Sequence, residues 1–310
     1  MTAIINFISF IFLYFFALPF KFLPYRSCLA LGRSLGSFAH AVSARHRRIA
    51  DENIRFAFPE MTESERKKMI RAHFRCIGTV VSDSLYAPRI DQAWMDQYLV
   101  YQGDSLETEN RVLAEKCGVV MISGHLGSWE VLVHMVGLRW KGAGLYKKIK
   151  NPLVDNWYRG MRESSGIRLI PVEDSSQVIK ELKKGQWVGF GADQNAGKSG
   201  IFINFMNRPA STFQGTVLMA YLTGAKMMYY SVVRGEEDRL CVRCVDMGSI
   251  DKKAFPDRDT AVRVFTEKWS ALLEEDIRRY PEQYFWVHRR WRTRPEDIKK
   301  EDAVSKSKAD

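Results

Sequence analysis

The first twenty residues of this 310-residue chain carry no charged side chain, and only five cysteines are spread over the whole length. Cys28, Cys76, Cys117, Cys241 and Cys244 are odd in number and widely separated. That excludes a disulfide framework as the basis of the fold and points to a reducing compartment. Cys241 and Cys244 do form a C-x-x-C, but within RLCVRCVDM, an alternating strand-like run that turns residues three apart to opposite faces. No second C-x-x-C or C-x-x-H pair follows to complete a metal or redox site. Internal repeats are lacking as well, which excludes a solenoid. Low-complexity sequence is confined to the C-terminal stretch from Pro295 (PEDIKKEDAVSKSKAD), which is expected to be a disordered polar tail over 295–310. The remainder, in a chain that is 46% apolar, can bury one sizeable core.

What is present is strongly basic: 47 Lys plus Arg against 36 Asp plus Glu, a formal charge of +11. This favours an anionic partner, and charge alone does not choose among nucleic acid, an acidic protein and a phospholipid surface. The uncharged N-terminus narrows the choice. Ile4 to Phe20 (IINFISFIFLYFFALPF) is almost entirely large apolar or aromatic residues, the composition of a membrane segment. As a helix its length is about 26 Å, slightly short of a hydrocarbon core of roughly 30 Å. Spanning and deep insertion into one leaflet both stay open. A cleaved signal peptide would need a basic n-region, and no Lys or Arg precedes Ile4. The first basic residues, Lys21 and Arg26, follow the run and are succeeded by Arg33, Arg45, Arg47 and Arg48. The positive-inside rule therefore places the body of the protein on the cytoplasmic side. Residues 1–24 are read as the membrane anchor and 25–294 as the functional domain.

After Pro24 the pattern gives one or two helices ending in the basic cluster RHRR, which suits either anionic headgroups or a solvated face. Thr62 to Glu65 (TESE) has the spacing of a capping box, and predicts a helix through MTESERKKMIRAHFRCIGTVVSDSL. From Cys117 short apolar runs alternate with helical patterns: GVVMIS, a helix from about Ser128, IRLIP, QVIKELKK, WVGFGA, a helix after Thr212, MMYYSVVR and CVRCVDM. A last helix, DTAVRVFTEKWSALLEEDIRRY, ends before Pro281. The expected fold is therefore α/β: a mixed central sheet flanked by helices, preceded by an N-terminal hydrophobic membrane helix.

The chemistry centres on GHLGSWE, residues 124–130, where His125 precedes Glu130 by five positions. Spacing alone is weak: six histidines and 36 carboxylates give about 0.7 such H-x-x-x-x-[DE] pairs by chance. The chain holds another at His46 and Asp51. That pair sits in a helical pattern, where residues five apart are about 140° apart around the axis, and is read as a decoy. His125 instead follows an apolar strand and precedes a helix, so the chain turns between the two residues. Gly124 and Gly127 permit an unusual backbone there, and Glu130 is expected to fold back and hold the imidazole. A neutral histidine so oriented can take a proton from an alcohol attacking a thioester, with no covalent intermediate on the enzyme. An ordinary turn histidine beneath a sheet is the competing reading of this segment alone.

GHLGSWE resembles the first block of the bacterial lipid A acyltransferase family, within the wider glycerolipid acyltransferases that carry H-x-x-x-x-[DE]. Three further blocks follow in the family's order: KNPLVDNWYRGMRESSG (150–166), ADQNAGKSGIFINFMNRPASTFQG (192–215) and PEQYFWVHRRWRTRP, matching the closing W.HRRW signature. The resemblance runs over nearly the whole chain. Departures fall at Asn195 and Asn207, where family members often carry a second acidic residue and a glycine.

The resemblance implies an acyltransferase with His125 as general base and Glu130 as its orienting carboxylate. It implies substrate-binding roles for Arg159, Arg162, Asp193 and Gln194, and neither a metal nor a cofactor. The implied partners are acyl carrier protein as donor, a Kdo-bearing glycolipid acceptor and the inner leaflet of a bacterial inner membrane, with no nucleic acid. From the residues, Arg162 suits a phosphate or a polarised carbonyl, or simply a pair with Glu163 or Asp155. Asp193, ending the WVGFGA strand, lies where α/β sheets place ligands, or caps a loop. Phe202, Phe205 and Phe213 suit an acyl slot or ordinary packing. Trp286, Trp291 and Arg289, Arg290, Arg292 and Arg294 suit an anionic headgroup or packing. The alternatives that stay open are another glycolipid acceptor such as a phosphatidylinositol mannoside, acyl-CoA as donor, a thioester hydrolase using the same histidine on water, and a non-catalytic surface-binding protein.

Overall fold

The computed structural model describes residues 2–297; most of the expected tail, residues 298–310, lies outside the described residues. Five helices open the chain: α1 (Thr2–Ala17), α2 (Tyr25–Val42), α3 (Ala44–Ala57), α4 (Glu63–Tyr86) and α5 (Gln92–Tyr98). The α/β part follows as β1 (Leu99–Tyr101), α6 (Ser105–Ala114), β2 (Val119–Gly127), α7 (Trp129–Trp140), β3 (Ala143–Tyr146), α8 (Pro152–Glu163), β4 (Arg168–Pro171), α9 (Ser175–Lys183) and β5 (Trp187–Gly191). Then come β6 (Ile201–Phe205), β7 (Arg208–Thr212), α10 (Gly215–Thr223), β8 (Lys226–Arg234), β9 (Leu240–Gly248) and α11 (Arg258–Arg279).

Seven strands form one sheet in the order β1-β9-β8-β2-β5-β3-β4. All neighbours are parallel except β8 with β9, so the sheet is mixed, as the alternation of patterns required. The central strands are continuous apolar runs because helices cover both faces. One core gathers Trp269 and Leu273 of α11 with Ile122 and Trp286; the other gathers Met135 and Trp140 of α7 with Met121 and Leu29 of α2. The Thr62 box forms as expected: the Thr62 N–H donates to Glu65 Oε2 (2.8 Å) and the Glu65 N–H donates to Thr62 Oγ1 (3.3 Å). Together with the following turn, α1 makes a helical stretch over Thr2–Lys21 that is long and apolar enough to cross a membrane by length and composition.

Candidate active site

Strand register builds the site. β2 and β5 are parallel neighbours with Ser123 opposite Gly191, and the Ala192 N–H donates to the Ser123 carbonyl at 3.1 Å. His125 and Asp193 each lie two residues beyond that matched pair, so they emerge together from the carboxyl end of the sheet, where such folds place ligands. β2 then ends at Gly127, whose φ is +61° and whose Cβ, if present, would sit 2.2 Å from the Val232 carbonyl oxygen. Only glycine lets the chain press against β8 there while turning into α7. Ser128 follows, its N–H donating to the Val232 carbonyl at 2.7 Å.

The imidazole is held by Asp193, at 2.6 Å from Nδ1 to Oδ1. This corrects the expectation that Glu130 would hold it. Glu130 lies in the first turn of α7, 4% exposed, and its carboxylate is taken by α8. Arg162 donates to it twice (Nε to Oε2 at 3.1 Å, Nη2 to Oε1 at 2.6 Å) and the Tyr158 hydroxyl donates to Oε1 at 2.9 Å. A bidentate charged pair outcompetes a single bond to a neutral ring, and β2 runs two residues past His125 before the chain turns. Arg162 thus pairs with Glu130, and neither Glu163 nor Asp155 is its partner. Arg159 donates instead to Glu163 at 3.0 Å and lies over the Tyr146 ring, so the structure does not bring it to the imidazole.

Asp193 is buried, whereas the His125 side chain keeps 25% of its surface exposed. A carboxylate only accepts, so Nδ1 carries the proton and Nε2 presents its lone pair. The Gln194 amide nitrogen lies 3.4 Å from Nε2. Trp129 and Phe285 flank the ring, with centroids 5.3 and 6.1 Å away. Burial by itself would favour the neutral ring, but the Asp193 charge and bond, with a smaller push from Glu130, outweigh it and raise the pKa above 6.5. Burial would raise Asp193 too, and the facing His125 holds it below its usual value. In the same way Arg162 more than offsets burial at Glu130 and keeps it ionised.

The segment after α11 supports Asp193 from behind. The Phe285 N–H donates to the His125 carbonyl at 3.0 Å, and burial together with the Asp193 charge pushes the Tyr284 hydroxyl well above its usual pKa. Arg290, 1% exposed, donates from Nη2 to Thr212 Oγ1 at 2.5 Å and from Nη1 to the Ser211 carbonyl. With Trp286 and Trp291 also buried, those three residues of the closing signature pack the core; Arg289, Arg292 and Arg294 are exposed. Of the phenylalanines, Phe205 is core against Tyr284 and Trp291, while Phe213 is 42% exposed. Asn195 donates to Thr293 Oγ1 at 3.1 Å, and Asn207, with φ +63°, turns the β6–β7 hairpin in a backbone that suits glycine or asparagine.

Tyr158 and Tyr284 were not anticipated. Tyr158 had a signal, standing four residues before Arg162 on one helix face; Tyr284 had none, because only the fold brings it to β2. The decoy separates as expected: His46 meets the Ser43 hydroxyl and Asp51 meets Arg66. Among the described residues no group of three His, Cys, Asp or Glu side chains could hold a metal ion.

A histidine with a buried carboxylate behind it and an open face in front, at the mouth of an α/β sheet, is an arrangement in which the ring can take up a proton. Residues 2–293 match the model of the bacterial lipid A biosynthesis acyltransferases, and the chain belongs to that family of acyltransferases. It is similar to the lipid A biosynthesis lauroyltransferase of Escherichia coli (strain K12), 30% identical with 89% of each chain covered. It is also similar to that organism's palmitoleoyltransferase (28%, covering 88% of this chain and 87% of the relative) and its myristoyltransferase (24%, covering 84% and 79%).

Proposed function

We propose that this protein moves a fatty acyl chain directly from acyl carrier protein to a hydroxyl, or hydroxyacyl, group of a Kdo-bearing lipid A precursor. The observation that carries the mechanism is the 2.6 Å contact of His125 Nδ1 with Asp193, which leaves Nε2 as the base on the exposed side. The acceptor hydroxyl takes the place beside Nε2 now occupied by the Gln194 amide. As its oxygen bonds to the thioester carbonyl carbon, its proton passes to Nε2 and Asp193 stabilises the imidazolium. Collapse of the tetrahedral adduct breaks the carbon–sulfur bond, and the imidazolium returns the proton to the departing thiolate. Glu130 acts on Arg162 in this scheme: it fixes the guanidinium, whose Nη1 hydrogens face a carbonyl or phosphate oxygen of the substrate.

The relatives' names support the lipid A acceptor, and the net charge of +11 suits both an acidic carrier and a phosphorylated glycolipid. Residues 1–24 then serve as anchor in the bacterial inner membrane and 25–294 as the transferase body facing the cytoplasm. The test is a mass-spectrometric assay with the precursor and acyl groups carried on acyl carrier protein or on CoA. The acceptor is expected to gain one acyl mass from the carrier protein. Free fatty acid as the sole product would replace transfer with hydrolysis, and turnover with CoA alone would replace the donor.

A further inference from the structure

We propose that α1 does not cross the bilayer but lies within one leaflet beside α8, so that its N-terminus stays on the same side as the catalytic body. The inference rests on the reading of the chain as a membrane protein. It starts from how α1 is packed. Ile4, Ile5, Phe7, Ile8, Phe12 and Phe15 are exposed and cover one broad apolar side of the helix. The opposite stripe is fastened to α8: the Asn151 side chain donates to the Asn6 carbonyl at 2.9 Å, and Phe10 meets Trp157 edge-on at 6.5 Å.

Those contacts fix a register in which the two helices run side by side in the same direction. Asn6 is level with Asn151 and Phe10 with Trp157, while Ala17 and Lys21 share a cleft with Gly160 and Met161. α8 and its approach are charged. Lys147, Lys148 and Lys150 precede it and are exposed. Lys148 and Arg159 line a cleft of about 540 Å³ together with Phe10, near the middle of the Thr2–Lys21 stretch. Were that stretch to stand across the bilayer, these cations would lie in hydrocarbon, which charged side chains avoid. A membrane plane running along the exposed side instead puts its isoleucines and phenylalanines in the acyl region and the basic groups among headgroups.

Charge complementarity identifies the occupant as a leaflet with anionic headgroups. Lys148 and Arg159 rim the first cleft; Lys21 and Arg89 rim a second, of about 490 Å³, on the other side of Trp157. The one carboxylate lining either cleft, Asp155, is buried and accepts from the Ile149 N–H at 2.7 Å. α8 carries Tyr158 and Arg162 toward Glu130, so the leaflet lies about one helix diameter, roughly 10 Å, from the active site. A lipid-borne hydroxyl can therefore reach His125 from the leaflet that holds α1.

Labelling with a membrane-impermeant maleimide in sealed inner-membrane vesicles of both orientations tests this. Thr2→Cys is compared with Ser176→Cys on the exposed start of α9, each above the background of the full chain with its native cysteines. Both positions are expected to label from the same side, in inverted vesicles, before any detergent is added. Labelling of Thr2→Cys in right-side-out vesicles while Ser176→Cys labels only in inverted ones would overturn the proposal. Labelling of both in right-side-out vesicles alone would leave the single-leaflet geometry standing and overturn the cytoplasmic orientation. Absence of the chain from the membrane pellet would overturn the membrane reading and this inference with it.

Discussion

Replacing Asp193 with asparagine leaves the shape of the site and removes the charge behind the base. The amide no longer stabilises the imidazolium and can donate to Nδ1, which puts the proton on the wrong nitrogen. The expected loss in kcat is on the order of 10²- to 10⁴-fold. The pH profile carries a second signature. In the proposed mechanism His125 acts only when neutral, so its raised pKa places the acid limb of kcat/KM above 6.5, with activity falling as the pH drops through it. Asp193→Asn moves that limb downward. Glu130→Gln moves it less and acts mainly on KM, because Glu130 binds Arg162 and only pushes on the histidine from a distance. Equal shifts in the two profiles would return the dyad to the sequence expectation. His125 was legible because strand, turn and glycines frame it locally. Its carboxylate was not, because Asp193 is 68 residues away and only the matched ends of β2 and β5 bring the two together.

Two helix positions separate local from tertiary contributions. Thr62→Ala removes the box at the start of α4 and should lower stability by about 1 kcal/mol with kcat unchanged. Gly78→Ala strikes the crossing of α4 with α2, where a Cβ would sit 1.9 Å from the Gly32 carbonyl oxygen. It forces the helices apart and should cost about 2 kcal/mol or more. Thermal unfolding of the two variants ranks them, and an equal cost would mean that the crossing yields easily. The Thr62 cap could be read directly from TESE, as could β2, β5, β8, β9 and α11 from their apolar periods. The four-residue β3, AGLY, is too short to show a period, and the β6–β7 hairpin is hidden in glycine-punctuated sequence. Among the described residues that hairpin pairs only with itself, and it turns through Met206 and Asn207 in the left-handed region.

At the scale of the whole molecule, the proposed function brings a basic body, of net charge +11, to an acidic carrier and a lipid surface. Long-range attraction between exposed charges is screened by salt. kcat/KM with acyl carrier protein as donor should therefore fall several-fold as ionic strength rises from about 0.05 to about 0.5 M, measured on detergent-solubilised protein at saturating acceptor. A flat dependence would mean that the carrier does not dock through charge. The blocks at 124–130, 150–166, 192–215 and 281–295 were recognisable one by one, but their meeting was not. β2 supplies His125, the end of β5 the carboxylate that holds it, α8 the Arg162 clamp, and the segment after α11 Tyr284 and the bond from Phe285. The sheet places all four at one end.

The proposed mechanism stands or falls with His125 as the base of a direct transfer. The most direct measurement is a single-turnover acyl transfer followed by mass spectrometry of both acceptor and protein, with wild type and His125→Ala side by side. The wild type is expected to add one acyl mass to the acceptor without a protein-bound acyl group at any time, and the variant to add none. Transfer by His125→Ala at the wild-type rate, or an acyl mass that passes through the protein, would contradict the proposed mechanism.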